Sequence, residues 1–189
     1  MDTTELLHPG GWRFDQLDGL PDDGRRYEVV DGLLVVSPPP TVWHQVVGAG
    51  LLCQLSAQAP SDWWVLHELG LPLGTDGRVP DLSVVSARAP AGPSAPLPGP
   101  EHVGLVVEVV SRSSRKTDRF AKPGEYAEAG IPLFWRVETE PELLLVAHQR
   151  SGEAYEQVAV IDGGDGAGPA PAPWGPVHVD LASLRRTTP

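Results

Sequence analysis

GLVVEVVSRSS, residues Gly104–Ser114, is the stretch whose reading decides the fold. Leu105, Val106, Val107, Val109 and Val110 are apolar and mostly β-branched, the composition of a strand in the centre of a sheet, covered on both faces. Glu108 sits among them. Alternation puts Val106, Glu108 and Val110 on one face and Leu105, Val107 and Val109 on the other. A buried carboxylate without a partner is costly or gives up its charge. Two readings of Glu108 are open: a residue on a solvated edge, or a partnered acid in a cleft. The valines on its own face favour the second, with a metal or a cationic side chain as partner.

Downstream, Arg115–Ala129 reads as a helix closed by Gly130 at C′, with Pro132 just beyond. LFWRVE, Leu133–Glu138, reads as a strand. Strand, helix and strand in that order form a crossover, which predicts that Val103–Val110 and Leu133–Glu138 are parallel neighbours. Glu142–Arg150 and Ala154–Val160 read as a hairpin across Ser151-Gly152, and a short strand, VHVDL, ends near Leu181. Upstream, Trp63–Leu73 and Val79–Ser86 read as two strands joined by the turn Gly74–Gly77. Thr41–Ala59 has helical spacing and ends at Pro60. Arg26–Pro38 reads as a β-hairpin around Asp31-Gly32, a type I′ pair. Trp12–Pro21 reads as a short helix. Two helices against a mixed sheet predict an α/β protein with added β-hairpins.

A length of 189 residues and 41% hydrophobic content suit a single domain, 1–189, with one sizeable core centred on residues 26–138. The 21 glycines and 21 prolines cluster in Pro90–Pro100 and Gly163–Pro176, which read as loops, the second a flexible one spanning 163–176. The N-terminus has no basic and apolar leader, and no apolar run approaches the roughly 20 residues of a membrane span. The expectation is a soluble cytoplasmic protein with no membrane partner. The single cysteine, Cys53, excludes an intrachain disulfide and is expected in the packed core of its helix. A net charge of −11 disfavours sequence-independent binding of nucleic acid through Lys and Arg, while leaving room for a local basic strip or a metal-bridged contact.

Pro80-Asp81 opens one strand, Glu108 lies inside another, and Lys122 lies on the helix that follows. An aspartate and a glutamate on neighbouring strands supply hard oxygen ligands for Mg²⁺ or Mn²⁺, which take one or two carboxylates plus water and phosphate oxygens. A nearby lysine can stabilise developing negative charge, or position or deprotonate water. Together these residues suit metal-assisted hydrolysis of a phosphodiester. There is no Gly-rich phosphate loop, no Ser-His-Asp signature and no paired spacing for zinc.

In this order the residues resemble the PD-(D/E)xK nuclease superfamily, whose Pro-Asp is followed on the next strand by Asp/Glu-x-Lys. Here the lysine slot two residues after Glu108 holds Val110, and Lys122 on the following helix takes its place, as in some branches. RYEVVDGLLVVSPPPTVWHQ (Arg26–Gln45), VPDLSVV (Val79–Val85) and LVVEVVSRSSRKTDRFAKPGEYAEAGIPLFWRVE (Leu105–Glu138) are similar to the Uma-two family of bacterial endonucleases. The resemblance implies a restriction-endonuclease-like core and a Mg²⁺- or Mn²⁺-dependent endonuclease acting on DNA. Asp81 and Glu108 would hold the metal, with the Val109 or Val110 carbonyl as an extra ligand. Glu28 would join them as the early acid, and Lys122 would orient or activate water. His44 and Gln45 would contact phosphate or hydrogen-bond an acid.

Each residue also has a plainer reading. Asp81 can be a turn residue after proline, and Lys122 an ordinary surface lysine. Glu28 can pair with Arg25 or Arg26 on its hairpin. Arg112, Arg115, Lys116 and Arg119 are either a phosphate-facing strip, with Arg115 and Arg119 contacting substrate, or a solvated helix face. Either Glu68 or His67 could face the same cleft as Asp81. The whole can be a nuclease fold kept as a binding or scaffold module, and apolar edge strands allow a homodimer, whose two active sites would suit cleavage of both strands.

Overall fold

The structure, a computed structural model, describes residues 4–6, 8, 10–21, 23–111, 114–164 and 166–185. In chain order its strands are β1 (Thr4–Leu6), β2 (Arg26–Val30), β3 (Leu33–Ser37), β4 (Trp63–His67), β5 (Leu71–Leu73), β6 (Asp76–Arg78) and β7 (Leu82–Ser86). They continue with β8 (Val103–Val110), β9 (Leu133–Glu138), β10 (Leu144–Ser151), β11 (Ala154–Asp162), β12 (Ala167–Ala172) and β13 (Gly175–Asp180). Helix α1 is Val42–Ser56, and α2, Lys122–Glu128, continues a π-helical turn at Thr117–Ala121. A 3₁₀ helix, Phe14–Gly19, occupies the place of the short helix expected at Trp12–Pro21.

The central sheet has six strands in the order β11-β10-β9-β8-β7-β4. Every residue of β8 is buried, as its composition predicts. It pairs antiparallel with β7 and parallel with β9, with Glu108 opposite Arg136, so the expected crossover is present. Its two faces serve different layers. Leu105, Val107 and Val109 pack with Val47, Leu51 and Leu55 of α1 and with Ala170, Val177 and Val179 of the β12–β13 hairpin. Val106 packs on the other side with Tyr126 of α2, Ile131 and Phe134. Each such side chain contributes roughly 1.5–3 kcal/mol on burial. Glu108 lies on this second face, 1% exposed, which excludes the solvated edge.

A second sheet, β1-β3-β2-β6-β5, stands beside the first. Its β2–β3 hairpin turns at Asp31 (φ 51°) and Gly32 (φ 71°), the left-handed pair that a type I′ turn requires. Trp63–Leu73 is two strands rather than one. Glu68 takes a φ of 49° and its N–H donates to the Asp81 carbonyl at 3.2 Å. The chain therefore leaves the six-stranded sheet after His67 and joins the other sheet as β5. The expected turn Gly74–Gly77 contains the start of β6, whose antiparallel pairing with β5 makes a hairpin, and Asp81 lies where the chain returns.

Two further expectations are corrected. The stretch 163–176 is not a flexible loop: it holds β12 and the start of β13, which form an antiparallel hairpin. Proline is tolerated there because β12 pairs on one side only, leaving its missing N–H groups without a ladder to break. Small side chains let the hairpin lie close under the sheet, where Ala170 and Ala172 are buried and Trp135 Nε1–H donates to the Pro171 carbonyl at 3.0 Å. Cys53 is exposed, on the outer side of α1, because the buried stripe of that helix runs through Val47, Leu51 and Leu55. Among the described residues no helix is long and apolar enough to cross a membrane.

Candidate active site

A cleft of about 1240 Å³ opens between the two sheets, and Asp81, Glu108, Lys122, Glu28, His44 and Gln45 all line it. Asp81 sits just before β7, on the return from the β5–β6 excursion. Its Oδ2 accepts the Val109 N–H at 2.7 Å and lies 3.3 Å from His44 Nε2. Its Oδ1 accepts from Arg26 Nη2 at 2.8 Å. Burial alone would raise the Asp81 pKa, but the contact with His44 and the charges of Arg26 and Lys122 outweigh it and hold the carboxyl well below its ordinary range. Thr41 caps α1 by accepting the His44 N–H, so the first turn of that helix delivers His44 to the acid.

Glu108 Oε1 accepts the Tyr126 hydroxyl at 2.6 Å and lies 2.9 Å from Lys122 Nζ. Burial raises its pKa and Lys122 lowers it, while Asp118 and Asp81 add to the rise; the carboxyl is pushed up to about 8. Lys122 is 4% exposed and ringed by acids: Glu108, Asp118 Oδ1 at 3.1 Å and Glu28 Oε1 at 3.8 Å. Burial would lower the Lys122 pKa, but Glu108, Glu28, Asp118 and Asp81 raise it far more, so the ammonium stays charged. It is no surface lysine. Pro123 lies in the first turn of α2, and the Lys122 N–H reaches back to the Thr117 carbonyl. The widened turn takes up the helix bond that proline cannot make, and Lys122 faces the floor of the cleft.

Glu28 is buried and pairs with neither Arg25 nor Arg26. Its Oε1 accepts the Val79 N–H at 2.9 Å, and its Oε2 lies 3.4 Å from Arg78 Nη1. Burial raises its pKa, but Lys122, Arg78 and the Val79 N–H together lower it below the ordinary value. Arg26 instead bridges Asp81 and Glu68 Oε1, each at 2.8 Å, which brings Glu68 to the rim.

Arg115 and Arg119 do not line the cleft. Arg119 forks onto Glu138, with both N–O distances 2.8 Å, and Arg115 lies 3.8 Å from Glu140. Both arginines are thus engaged by acids that, like them, are not among the residues lining the cleft. Arg112 lies outside the described residues.

Four side chains that the sequence reading passed over complete the site: Arg26, Arg78, Asp118 and Tyr126. Signals for them existed. Arg26 and Glu28 are two apart on one strand and share a face. Asp118, Lys122 and Tyr126 are four apart and share a helical face. Arg78 ties the floor to α2 through a fork onto Glu125 at 2.7 and 2.6 Å.

Among the described residues no group of three or more His, Cys, Asp or Glu is placed so that it could hold a metal ion. The donors that are present are hard oxygens, Asp81 just before β7 and Glu108 on the adjacent β8, both lining one cleft. That set fits Mg²⁺ or Mn²⁺, which take few protein carboxylates and fill the remaining positions with water and phosphate. The Val110 carbonyl already accepts from Thr139 Oγ1 at 2.8 Å.

A model of the Uma2 family, described as "Putative restriction endonuclease", matches residues 13–175. No curated protein matches the chain. Among solved structures, one described as a "putative nuclease belonging to DUF820" from Anabaena variabilis is similar with a TM-score of 0.69 and 18% sequence identity. The match covers 91% of this chain and 96% of that one. The fold is restriction-endonuclease-like, mixed α and β around the six-stranded sheet.

Proposed function

The chain belongs to the Uma2 family, and from that premise we propose that it is a metal-dependent endonuclease that hydrolyses phosphodiester bonds of DNA. The observation that carries this reading is the meeting of buried Asp81, Glu108 and Lys122 on the floor of one cleft. Asp81 and Glu108 would hold Mg²⁺ or Mn²⁺. When bound, the cation supplies Lewis-acid polarisation of a phosphoryl oxygen and makes water a better nucleophile.

The protein's own residues divide the remaining work. Arg26 and the Val109 N–H fix the Asp81 carboxylate, and Tyr126 fixes Glu108. Lys122, held cationic by its ring of acids, is a poor proton acceptor; it steadies charge on the phosphoryl oxygens and orients water. His44 hydrogen-bonds Asp81 at the wall. Glu28, already engaged with Val79, Arg78 and Lys122, supports the lysine more than the metal. Two copies of the chain would present two clefts, one for each strand of a duplex.

A second reading, a binding or scaffold module in the nuclease fold, is favoured by one observation: the cleft charges are already paired with one another. Calorimetry with Mn²⁺ on wild type and Asp81→Asn, alongside cleavage of labelled DNA in Mg²⁺ and Mn²⁺, separates the two. Binding and cleavage in wild type, both lost in the variant, support the nuclease. Neither binding nor cleavage in wild type, with DNA present throughout, would sink it.

A further inference from the structure

Asp118 is an acid without an evident reason to be buried. It is 1% exposed, and its Oδ1 has no hydrogen-bond partner among the described residues. Such an oxygen is costly unless a charge compensates it. The compensation is Lys122 Nζ, 3.1 Å away. The other two acids around that ammonium are anchored elsewhere, Glu108 by the Tyr126 hydroxyl and Glu28 by the Val79 N–H. Asp118 is supported from its own helical turn by the Ser114 hydroxyl, and its Oδ1 is left to the ammonium alone. It also lines the cleft, and it precedes Lys122 on the same helical face.

We propose that Asp118 is a positioning residue, whose carboxylate fixes the Lys122 ammonium at the cleft floor from the side of its own helix, while Glu108 and Glu28 hold it from the sheets. Three acids pull the ammonium from three elements: β8, β2 and the π-helical turn. Without Asp118 the pull is one-sided. The ammonium, already 2.9 Å from Glu108, is then held by Glu108 and Glu28 alone, and its place relative to the phosphate is no longer fixed. The chemical consequence rests on the nuclease reading; the placement of Lys122 does not.

The experiment follows the Lys122 ammonium directly, by its ¹⁵N–¹H correlation in lysine-labelled protein, in wild type and Asp118→Asn, with Lys122→Met to assign the signal. Asparagine keeps the shape and removes the charge. The expected result is an ammonium signal protected from solvent exchange in wild type that is shifted or lost in Asp118→Asn. A signal that is the same in both proteins overturns the proposal. Where Asp118→Asn does not fold, Ser114→Ala reads the same signal, because the Ser114 hydroxyl supports the Asp118 carboxylate. In the cleavage assay Asp118→Asn should lower kcat by roughly 100-fold, with KM for DNA held within about threefold. An equal loss in both constants marks a merely structural role and also overturns it. If wild type cleaves no DNA, the nuclease reading fails alone, and the ammonium signal still decides the fate of Asp118.

Discussion

The Val109 N–H donates to Asp81 Oδ2 at 2.7 Å, so the strand that carries Glu108 also fixes the neighbouring acid. One residue of β8 points its carboxylate into the cleft, and the next offers its backbone to the other carboxylate. The two acids are thus built as a unit, one inside β8 and the other just before β7, the strand that pairs with it.

Lys122 is the keystone of the buried charges. Lys122→Met leaves Glu108, Asp118 and Glu28 without their shared cation, and removal of one partner from such a group costs about 3–5 kcal/mol. Urea unfolding should show that loss at pH 8. It should be smaller at pH 5, where the orphaned acids take up protons. An equal loss at both pH values contradicts the charge network.

Glu108 should leave a signature in the pH dependence of stability in metal-free buffer. Its folded-state pKa, about 8, lies above the ordinary 4.5. Its contribution is therefore present in full below the ordinary value and lost as pH rises through about 8. The stability of wild type relative to Glu108→Gln should fall between about pH 5 and pH 9. A divalent cation favours the ionised carboxylate, so Mg²⁺ should raise Tm more on the alkaline side of this window. A difference that stays flat with pH rules out the raised pKa.

Arg119 does not line the cleft and is engaged by Glu138. Arg119→Ala should leave Mn²⁺ affinity and any DNA cleavage unchanged, and lower stability by no more than about 1 kcal/mol. A tenfold loss of DNA affinity by fluorescence anisotropy would return this arginine to the substrate path.

Gly104 opens β8 where the β12–β13 hairpin comes closest. A Cβ there would lie 2.4 Å from Pro173 Cγ and 2.8 Å from Trp63 Cζ3. Gly104→Ala should cost about 1–3 kcal/mol through this overpacking. Mn²⁺ binding should be untouched, because Glu108 lies towards the other end of the strand. Thermal unfolding and calorimetry on the same sample test both halves.

The sequence made some of this legible and hid the rest for physical reasons. β8 and β9 were readable to the residue, because a run of β-branched side chains bounded by turns has few alternatives. Asp81, Glu108 and Lys122 stood out as charged residues at the start of a strand, inside a strand and on the following helix. β12 was hidden because its alternation uses alanine and proline, which look like a loop when the covering surface is unknown. β5 and β6 were hidden because strands of three residues carry almost no periodicity. The partners of the acids were hidden for a different reason: which cation meets which carboxylate depends on how two sheets face each other.

That facing has its own consequence. Arg26 to Asp81, Glu28 to Lys122 and Arg78 to Glu125 each join the five-stranded sheet to the other side of the cleft. A relative that had abandoned chemistry would still need those charges to stay in one piece. Their survival across a lineage therefore records cohesion as well as catalysis. His44 meets Asp81 without bridging the sheets, so its retention or loss in a relative is the more telling mark of a working site.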